Sequence, residues 1–160
     1  MELDRYDRAI LKALQADGRM SNQELADAIG LSPSPCLRRV RALEEAGLIT
    51  GYRALVDARR LGLSLMALIS ISMDKHTPER FANFEALVGD IPEVLECHHV
   101  TGEFDFLLKA VVRNRQDLER FVVNRLTPIP GVARINTSLA LSETKSTTAL
   151  PLPANSPHGD

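Results

Sequence analysis

Three arginines lie close together on one side of a helical pattern in the first third of the chain. Residues 30–47 read GLSPSPCLRRVRALEEAG, in which Ser32 is a favourable N-cap, Pro33 suits the first turn and Gly47 suits a left-handed end. At about 100° per residue, one side carries Cys36, Leu37, Val40 and Leu43, and the outward side carries Ser34, Arg38, Arg39 and Arg41. Guanidinium groups bind phosphate oxygens and guanine edges bidentately. We therefore predict that DNA is contacted by Ser32, Ser34, Arg38, Arg39 and Arg41.

Two further helical patterns precede this helix at the spacing of a helix-turn-helix. Ser21 and Glu24 form a capping-box pattern, and Gly30 ends that short helix about three residues before the arginine-bearing one begins. Upstream, residues 4–17 carry apolar side chains at helical spacing and would complete a three-helix core. An isolated helix with a solvated charged face would show the same arginine pattern, but this context favours a DNA-binding domain over residues 1–50, with a recognition helix at 32–46.

A second candidate site lies in the segment TGEFD, at residues 101–105. Gly102 can adopt a positive φ and expose backbone N–H groups, which can hold a carboxylate. Asp105 can hold an ammonium group, so the turn suits a free amino acid. A plain hairpin turn with solvated acidic side chains is the alternative interpretation of the same residues.

Cys97, His98 and His99 suggest a zinc site because thiolate and imidazole are good zinc ligands. Strand alternation argues against it, since His98 would face away from Cys97 and His99 and leave only two ligands on one face. Cys36 falls on the apolar side of its helix, so it is a poor candidate for a nucleophile. We predict no metal site, no catalytic residue and no cofactor.

Composition is typical of a globular protein without membrane segments. The 160 residues are 44% hydrophobic and 25% charged, with two cysteines and a formal net charge of −2. This balance gives no overall attraction to nucleic acid, so DNA affinity must come from the local arginine face and from dimerisation. We find no signal peptide and no membrane-length apolar run, and we therefore expect a cytoplasmic protein that has no membrane partner.

The second half contains a repeat that defines its fold. Ile-Pro-x-Val occurs at residues 91–94 and again at 129–132; each copy follows a helical stripe and precedes a strand. Strands with alternating apolar positions precede both helices, at 63–73 and 104–112. The order strand, helix, strand, twice over, predicts a βαββαβ domain whose two helices cover one face of an antiparallel sheet. The other face is partly apolar, and self-association would cover it.

These patterns predict an α+β protein in four parts. They are a helix-turn-helix domain at 1–50, a linker at 51–62, a ferredoxin-like sensing and assembly domain at 63–142, and a tail at 143–160 that is flexible beyond Leu150. Within the linker, residues 52–56 read as a short strand. Such a strand needs a partner, for which its copy in another subunit is one candidate and an ordered linker without pairing is the alternative.

Several segments resemble the leucine- and asparagine-responsive regulators, the Lrp/AsnC or feast/famine family. They are LQADGR at 14–19, LSPSPCLRRVRALEEAGLITGY at 31–52, PEVLECHHVTGEFDFLLK at 92–109, PGV at 130–132 and KSTTALP at 145–151. The resemblance implies a transcription regulator that binds double-stranded DNA, forms dimers and octamers, and responds to an amino acid bound between dimers. It further implies an effector pocket lined by His99, Thr101, Gly102, Glu103, Asp105, Thr137 and Ser138. The family often has a large apolar side chain at the position of His99, so a polar or acidic effector is worth testing.

Two functions of different class therefore remain open from the sequence. The first is a specific regulator of amino-acid metabolism or transport that responds to an amino acid. The second is a metabolic small-molecule-binding or enzymatic βαββαβ protein whose helices serve only for association. The arginine face distinguishes them, because only the first function needs it exposed and available to DNA.

Overall fold

The computed structural model describes residues 2–152, and the chain forms two compact units. One unit contains the chain through Leu55 together with the residues from Lys145 onward, and the other is Val56–Thr144. No helix in the described part of the chain is both long enough and apolar enough to cross a bilayer. The last eight residues of the predicted tail lie outside the described range.

The first unit is built on three helices, α1 (Arg5–Ala16), α2 (Asn22–Ile29) and α3 (Pro33–Glu45). The capping box predicted for α2 is present, because Ser21 and Glu24 each bond the other's backbone N–H. Gly30 ends α2 in the left-handed conformation at φ 71°. The predicted helix-turn-helix is therefore confirmed, since both helices begin and end at the expected residues.

The core of this unit explains the pattern of apolar residues along the helices. Its buried residues are Ile10, Leu11, Leu25, Ala26, Cys36 and Leu43. Leu37, which we assigned to the apolar side of α3, is instead 38% exposed. It lies at the margin of the apolar stripe, beside Ser34 and Arg41, because residues three or four apart are neighbours on a helix.

The N-cap of α3 is also different in detail from the prediction. Ser32 occupies the cap position, but its hydroxyl makes no capping hydrogen bond. A capping hydroxyl accepts from the N–H of the second or third helical residue, and the third is Pro35, which has no N–H. The hydroxyl of Ser32 is therefore not used to cap its own helix.

The second unit has the predicted βαββαβ order. Its elements are β1 (Leu65–Met73), α4 (Pro78–Gly89), β2 (Val94–His99), β3 (Phe106–Val112), α5 (Arg115–Phe121), a π-helical turn (Val122–Leu126) and β4 (Val132–Leu139). The strands form one antiparallel sheet in the order β2-β3-β1-β4. Both Ile-Pro-x-Val segments make the same turn, in which the valine N–H donates to the isoleucine carbonyl at 3.1 Å before the strand begins.

One face of the sheet carries the core and the other is open. Alternate residues of β1 and β3, among them Ile69, Ile71, Phe106 and Leu108, are fully buried and pack with α4 and α5. The opposite face presents Met66, Leu68 and Leu107, and Leu68 is 41% exposed. At its edge, Lys109 and His98 both lie 3.2 Å from Glu96, and these contacts lower the pKa of Glu96, with the His98 hydrogen bond the larger cause.

The connecting segments depart from the prediction. Residues 52–56 form no strand in the single chain, and Leu55 is 84% exposed. A lone strand leaves its backbone groups without partners, so it cannot form until another strand pairs with it. At the C-terminal end, Gln15 exchanges two hydrogen bonds with the backbone of Leu150, at 2.6 and 3.2 Å, and Leu152 packs against the helical core. The described part of the tail beyond Leu150 is therefore anchored to the helical unit, contrary to expectation.

Candidate DNA-binding face and effector hairpin

The outward side of α3 forms a shallow groove of about 350 Å³. It is lined by Ser34, Leu37, Arg38, Arg41, Ala42 and Glu45. Ser34, Arg38 and Arg41 span about 10 Å of helix, which corresponds to roughly three base-pair steps. Neither Arg38 nor Arg41 forms an ion pair with another residue in the range 2–152, so their guanidinium groups are available to a ligand.

The turn before α3 fixes the direction of this face. The N–H of Leu31 donates to the Ala26 carbonyl across the left-handed Gly30. The side-chain amide of Asn22 donates to the Pro33 carbonyl at 2.8 Å, which ties the start of α2 to the start of α3. These contacts hold the two helices at a defined angle, as a helix-turn-helix requires if its second helix is to enter the major groove.

Arg39 does not share this face. Its guanidinium lies 2.8 Å from carboxylate oxygens of both Asp4 and Asp7, and its carbon lies 5.4 Å from the centre of the Tyr6 ring. The hydrogen bond to Asp7 is the largest cause of the raised pKa of Arg39. We predicted a DNA contact for Arg39, but its position one step around the helix from Arg38 brings it against α1, where it stabilises the helical unit.

The predicted effector turn is a hairpin between β2 and β3. The Val100 N–H donates to the Asp105 carbonyl at 2.9 Å, and Gly102 has the expected positive φ, 123°. Thr101 and Glu103 are exposed at its tip. The Glu103 carboxylate lies 3.5 Å from the Arg134 guanidinium at the start of β4, so an acidic and a basic group face each other beside the exposed tip.

The Asp105 side chain makes contacts within the chain rather than pointing into solvent. Its carboxylate accepts the Met73 N–H at 2.7 Å, its own N–H donates to Ile71, and one of its oxygens lies 3.1 Å from Nε2 of His76. The side chain is only 17% exposed. We predicted that Asp105 binds the ammonium group of an effector; in the single chain its carboxylate holds the hairpin to the end of β1.

The remaining predicted pocket residues do not meet in one chain. The His99 ring stacks on Phe106 with centroids 4.9 Å apart, on the helix-covered face. Thr137 pairs with Ile69 and Ser138 with Leu68, so they face opposite sides of β4. Since β2 and β4 are the two edges of the sheet, about 14 Å separates the two strands, and His99 is farther still from either residue because it lies level with Ile135.

Three residues beside the two sites escaped the sequence analysis. Leu37 lies in the groove of α3, His76 touches Asp105, and Arg134 faces Glu103. The helical period of α3 assigned Leu37 to the apolar side, and only its spacing of three and four residues from Ser34 and Arg41 indicates a place in the groove. His76 and Arg134 come from distant parts of the chain, so no local pattern marks them.

The cluster of Cys97, His98 and His99 has the alternation expected of a strand. Cys97 and His99 pair with the buried Leu108 and Phe106, whereas His98 pairs with Leu107 on the open face. Within residues 2–152, no group of three or more possible metal ligands comes together.

An exposed arginine face on the second helix of a helix-turn-helix, followed by a βαββαβ unit, defines a DNA-binding regulator with a separate ligand-binding domain. Family comparison agrees for both units: residues 3–50 match a winged helix-turn-helix DNA-binding model, and residues 66–150 match the Lrp/AsnC ligand-binding domain. The chain belongs to the Lrp/AsnC family of transcriptional regulators.

Its relatives match nearly end to end. A Bkd operon transcriptional regulator from Pseudomonas aeruginosa is 44% identical over 94% of this chain and 99% of its own length. The leucine-responsive regulatory protein of Escherichia coli is 42% identical over 93% of this chain and 91% of its own. A transcriptional regulator from Neisseria meningitidis, solved with L-methionine, has a TM-score of 0.91 and 41% identity over 94% of this chain and 97% of its own. These relatives are regulators rather than enzymes, which removes the enzymatic alternative.

Proposed function

We propose that this regulator controls genes of amino-acid metabolism or transport and that a free amino acid, bound at the hairpin 101–105, changes its affinity for DNA. The observation that carries the proposal is the Glu103–Arg134 pair beside the exposed tip of the hairpin, where Gly102 has a positive φ. A zwitterion has matching charges, since its ammonium suits Glu103 and its carboxylate suits Arg134 and the hairpin N–H groups. The L-methionine complex of the Neisseria meningitidis relative supports this class of effector. Such a protein acts in the cytoplasm, where its DNA is.

The effector is identified by thermal unfolding of the purified protein in the presence of each of the twenty amino acids. A ligand that binds only the native state raises the unfolding temperature by mass action. DNA affinity is then measured with and without the strongest ligand, on a double-stranded site that the protein selects from a random library. A change in DNA affinity supports the proposal, and a ligand that binds tightly without any such change contradicts it.

Glu103→Gln tests the hairpin itself. Loss of a charge-assisted hydrogen bond is expected to weaken amino-acid binding by about 1.5–3 kcal/mol, while DNA affinity without effector stays unchanged. Glu119→Gln, an exposed glutamate on α5, is the matched control. Isothermal calorimetry that shows the same affinity for Glu103→Gln and wild type would remove Glu103 from the site. Asp105 is a poor test residue because its replacement would also release the Met73 N–H.

We further propose that a second copy of the chain covers the open face of the sheet and that dimers associate further, up to an octamer. The exposed Leu68 and the unpaired segment 52–56 support a partner, because both leave groups that another copy can cover or pair with. The separation of His99 from Thr137 and Ser138 supports an effector pocket between dimers, since residues from two copies would be needed to complete it.

Leu68→Glu tests this assembly. A buried charge at a self-complementary interface occurs twice in the dimer, so we expect the dimer to dissociate at micromolar concentrations. Leu87→Glu is the control, because Leu87 is 43% exposed but lies on α4, on the helix-covered side. Light scattering after size exclusion measures the mass. An unchanged mass for Leu68→Glu would place the interface elsewhere.

A further inference from the structure

Leu37 is a large apolar side chain in the groove of α3, where the core of the helical unit does not use it. It is 38% exposed and lies beside Ser34 and Arg41. Cys36 and Leu43 are buried in the core, but among the described residues Leu37 does not pack against that cluster. The packing of the helical unit therefore does not explain a leucine at this position.

The groove that contains Leu37 is otherwise mostly polar. Its other lining residues are Ser34, Arg38, Arg41, Ala42 and Glu45, so Leu37 is the large apolar side chain of this set. The two arginines form no ion pair within residues 2–152, and their charge attracts phosphate groups. A partner that covers Leu37 must therefore present an apolar group on a strongly anionic surface. Double-stranded DNA does so in its major groove, where thymine exposes its C5 methyl group.

The position of Leu37 along α3 suits a base contact. The second helix of a helix-turn-helix contacts base edges with residues near its N-terminus, and Leu37 begins the second turn of a helix that starts at Pro33. Leu37 and Arg41 are about 6 Å apart along the helix axis, which corresponds to about two base-pair steps. An apolar contact by Leu37 and a polar contact by Arg41 can therefore be made to neighbouring base pairs at the same time.

We propose that Leu37 is a specificity-determining residue and that it contacts the C5 methyl group of a thymine in the major groove. Burial of the methyl group against the leucine side chain removes both from water and so favours thymine. Cytosine lacks this methyl group and would bring its amino group to a side chain that cannot accept a hydrogen bond. Arginine reads guanine, so Leu37 adds a preference that Arg38 and Arg41 do not supply. The inference depends on DNA binding by α3 and not on the effector.

The test compares thymine with deoxyuridine, which differs from it only by the missing C5 methyl group. A double-stranded site is selected from a random library with the wild-type protein, and its thymines are replaced one at a time. Fluorescence anisotropy measures the affinity for each DNA. We expect a thymine at which the replacement weakens wild-type binding about fourfold, which is the loss that corresponds to one buried methyl group. Leu37→Ala should bind the selected site more weakly and lose nothing further from deoxyuridine at that thymine.

A second comparison places the methyl group on another base. At the same position, 5-methylcytosine should bind wild type about fourfold more tightly than cytosine, and Leu37→Ala should not distinguish the two. Leu37→Met keeps an apolar side chain and should retain the response to the methyl group. Leu87→Ala, which shortens an exposed leucine on α4 of the other unit, is the matched control and should behave as wild type. Thermal unfolding checks that Leu37→Ala is folded, as expected for a side chain outside the core.

Three results would overturn the role of Leu37. They are no deoxyuridine response at any thymine in wild type, a response that persists unchanged in Leu37→Ala, and an equal loss by Leu37→Ala on selected and scrambled DNA without any effect of the methyl group. Arg38→Ala on the same DNA distinguishes this failure from a wider one. If Arg38→Ala weakens binding while the methyl group has no effect, only Leu37 is rejected. If neither has an effect, the outward side of α3 is not the DNA-binding face.

Discussion

Arg38→Ala is expected to weaken specific DNA binding by about 1–3 kcal/mol at each half-site if Arg38 reads a base edge. This corresponds to roughly 5- to 150-fold per half-site, and a dimer that uses both half-sites would lose more. The reason is structural: Arg38 lies between Ser34 and Arg41 on the outward side of α3, without an ion-pair partner in the described chain. Fluorescence anisotropy with a selected site measures the loss.

Two controls distinguish a phosphate contact of Arg38 from a base contact. If Arg38 contacts only a phosphate, its loss weakens binding equally on selected and scrambled DNA and lowers the salt slope by about 1. If it reads a base, the loss is larger on the selected site. Arg115→Ala removes an exposed arginine from the other unit and should leave both affinities intact. Unchanged affinity for Arg38→Ala would show that Arg38 takes no part in DNA binding.

Arg39→Ala, one residue further along, is expected to lower stability instead. The substitution leaves the Asp7 carboxylate, only 11% exposed, without its charged donor, at a cost of about 1–3 kcal/mol. A cost of 1 kcal/mol corresponds to about 4–8 °C in a small domain, so the helical unit should unfold several degrees lower. Calorimetry detects this shift. Where the unit is still folded, DNA affinity should equal that of wild type.

A double-mutant cycle with Asp7→Asn measures the interaction energy between Asp7 and Arg39. Asp7→Asn and Arg39→Ala should be less than additive, because either substitution removes the same contact. Full additivity, or a loss of DNA affinity by Arg39→Ala in the folded unit, would contradict the role of Arg39 as a link between α1 and α3. Arg41→Ala is the matched control, with no expected change in stability, since Arg41 is exposed and contacts the groove of α3.

Low pH should weaken the contact between Arg39 and the carboxylate of Asp4. Hydrogen bonds from the N–H groups of Asp7 and Tyr6, and pairing with Arg39, lower the pKa of Asp4 below its ordinary value of 3.8. Because the folded-state pKa is lower, the stabilisation by Asp4 is fully present above pH 3.8 and is lost as the pH falls through the lowered pKa. The stability difference between wild type and Arg39→Ala should therefore shrink below that pH.

The helix ends, the division into two units and the order of helices and strands along the chain were determined by short-range features of the sequence. Ser21, Glu24 and Gly30 specify their positions through bonds made within one or two turns, and the alternation of residues 65–73 specifies which side of β1 is buried. Each of these features acts over a few residues, so it can be recognised in a single sequence. The resemblance to the Lrp/AsnC family added the expected function, which these local features do not specify.

Tertiary structure decided which of the predicted residues are free to act. Arg38 and Arg39 are adjacent in sequence, yet α1 supplies Asp4 and Asp7 to only one of them. Asp105 has the right chemistry for an ammonium group, and in the fold its carboxylate accepts the N–H of Met73 at the end of β1. The helical and strand periods determine the direction of a side chain, whereas its partner depends on segments far away in the chain.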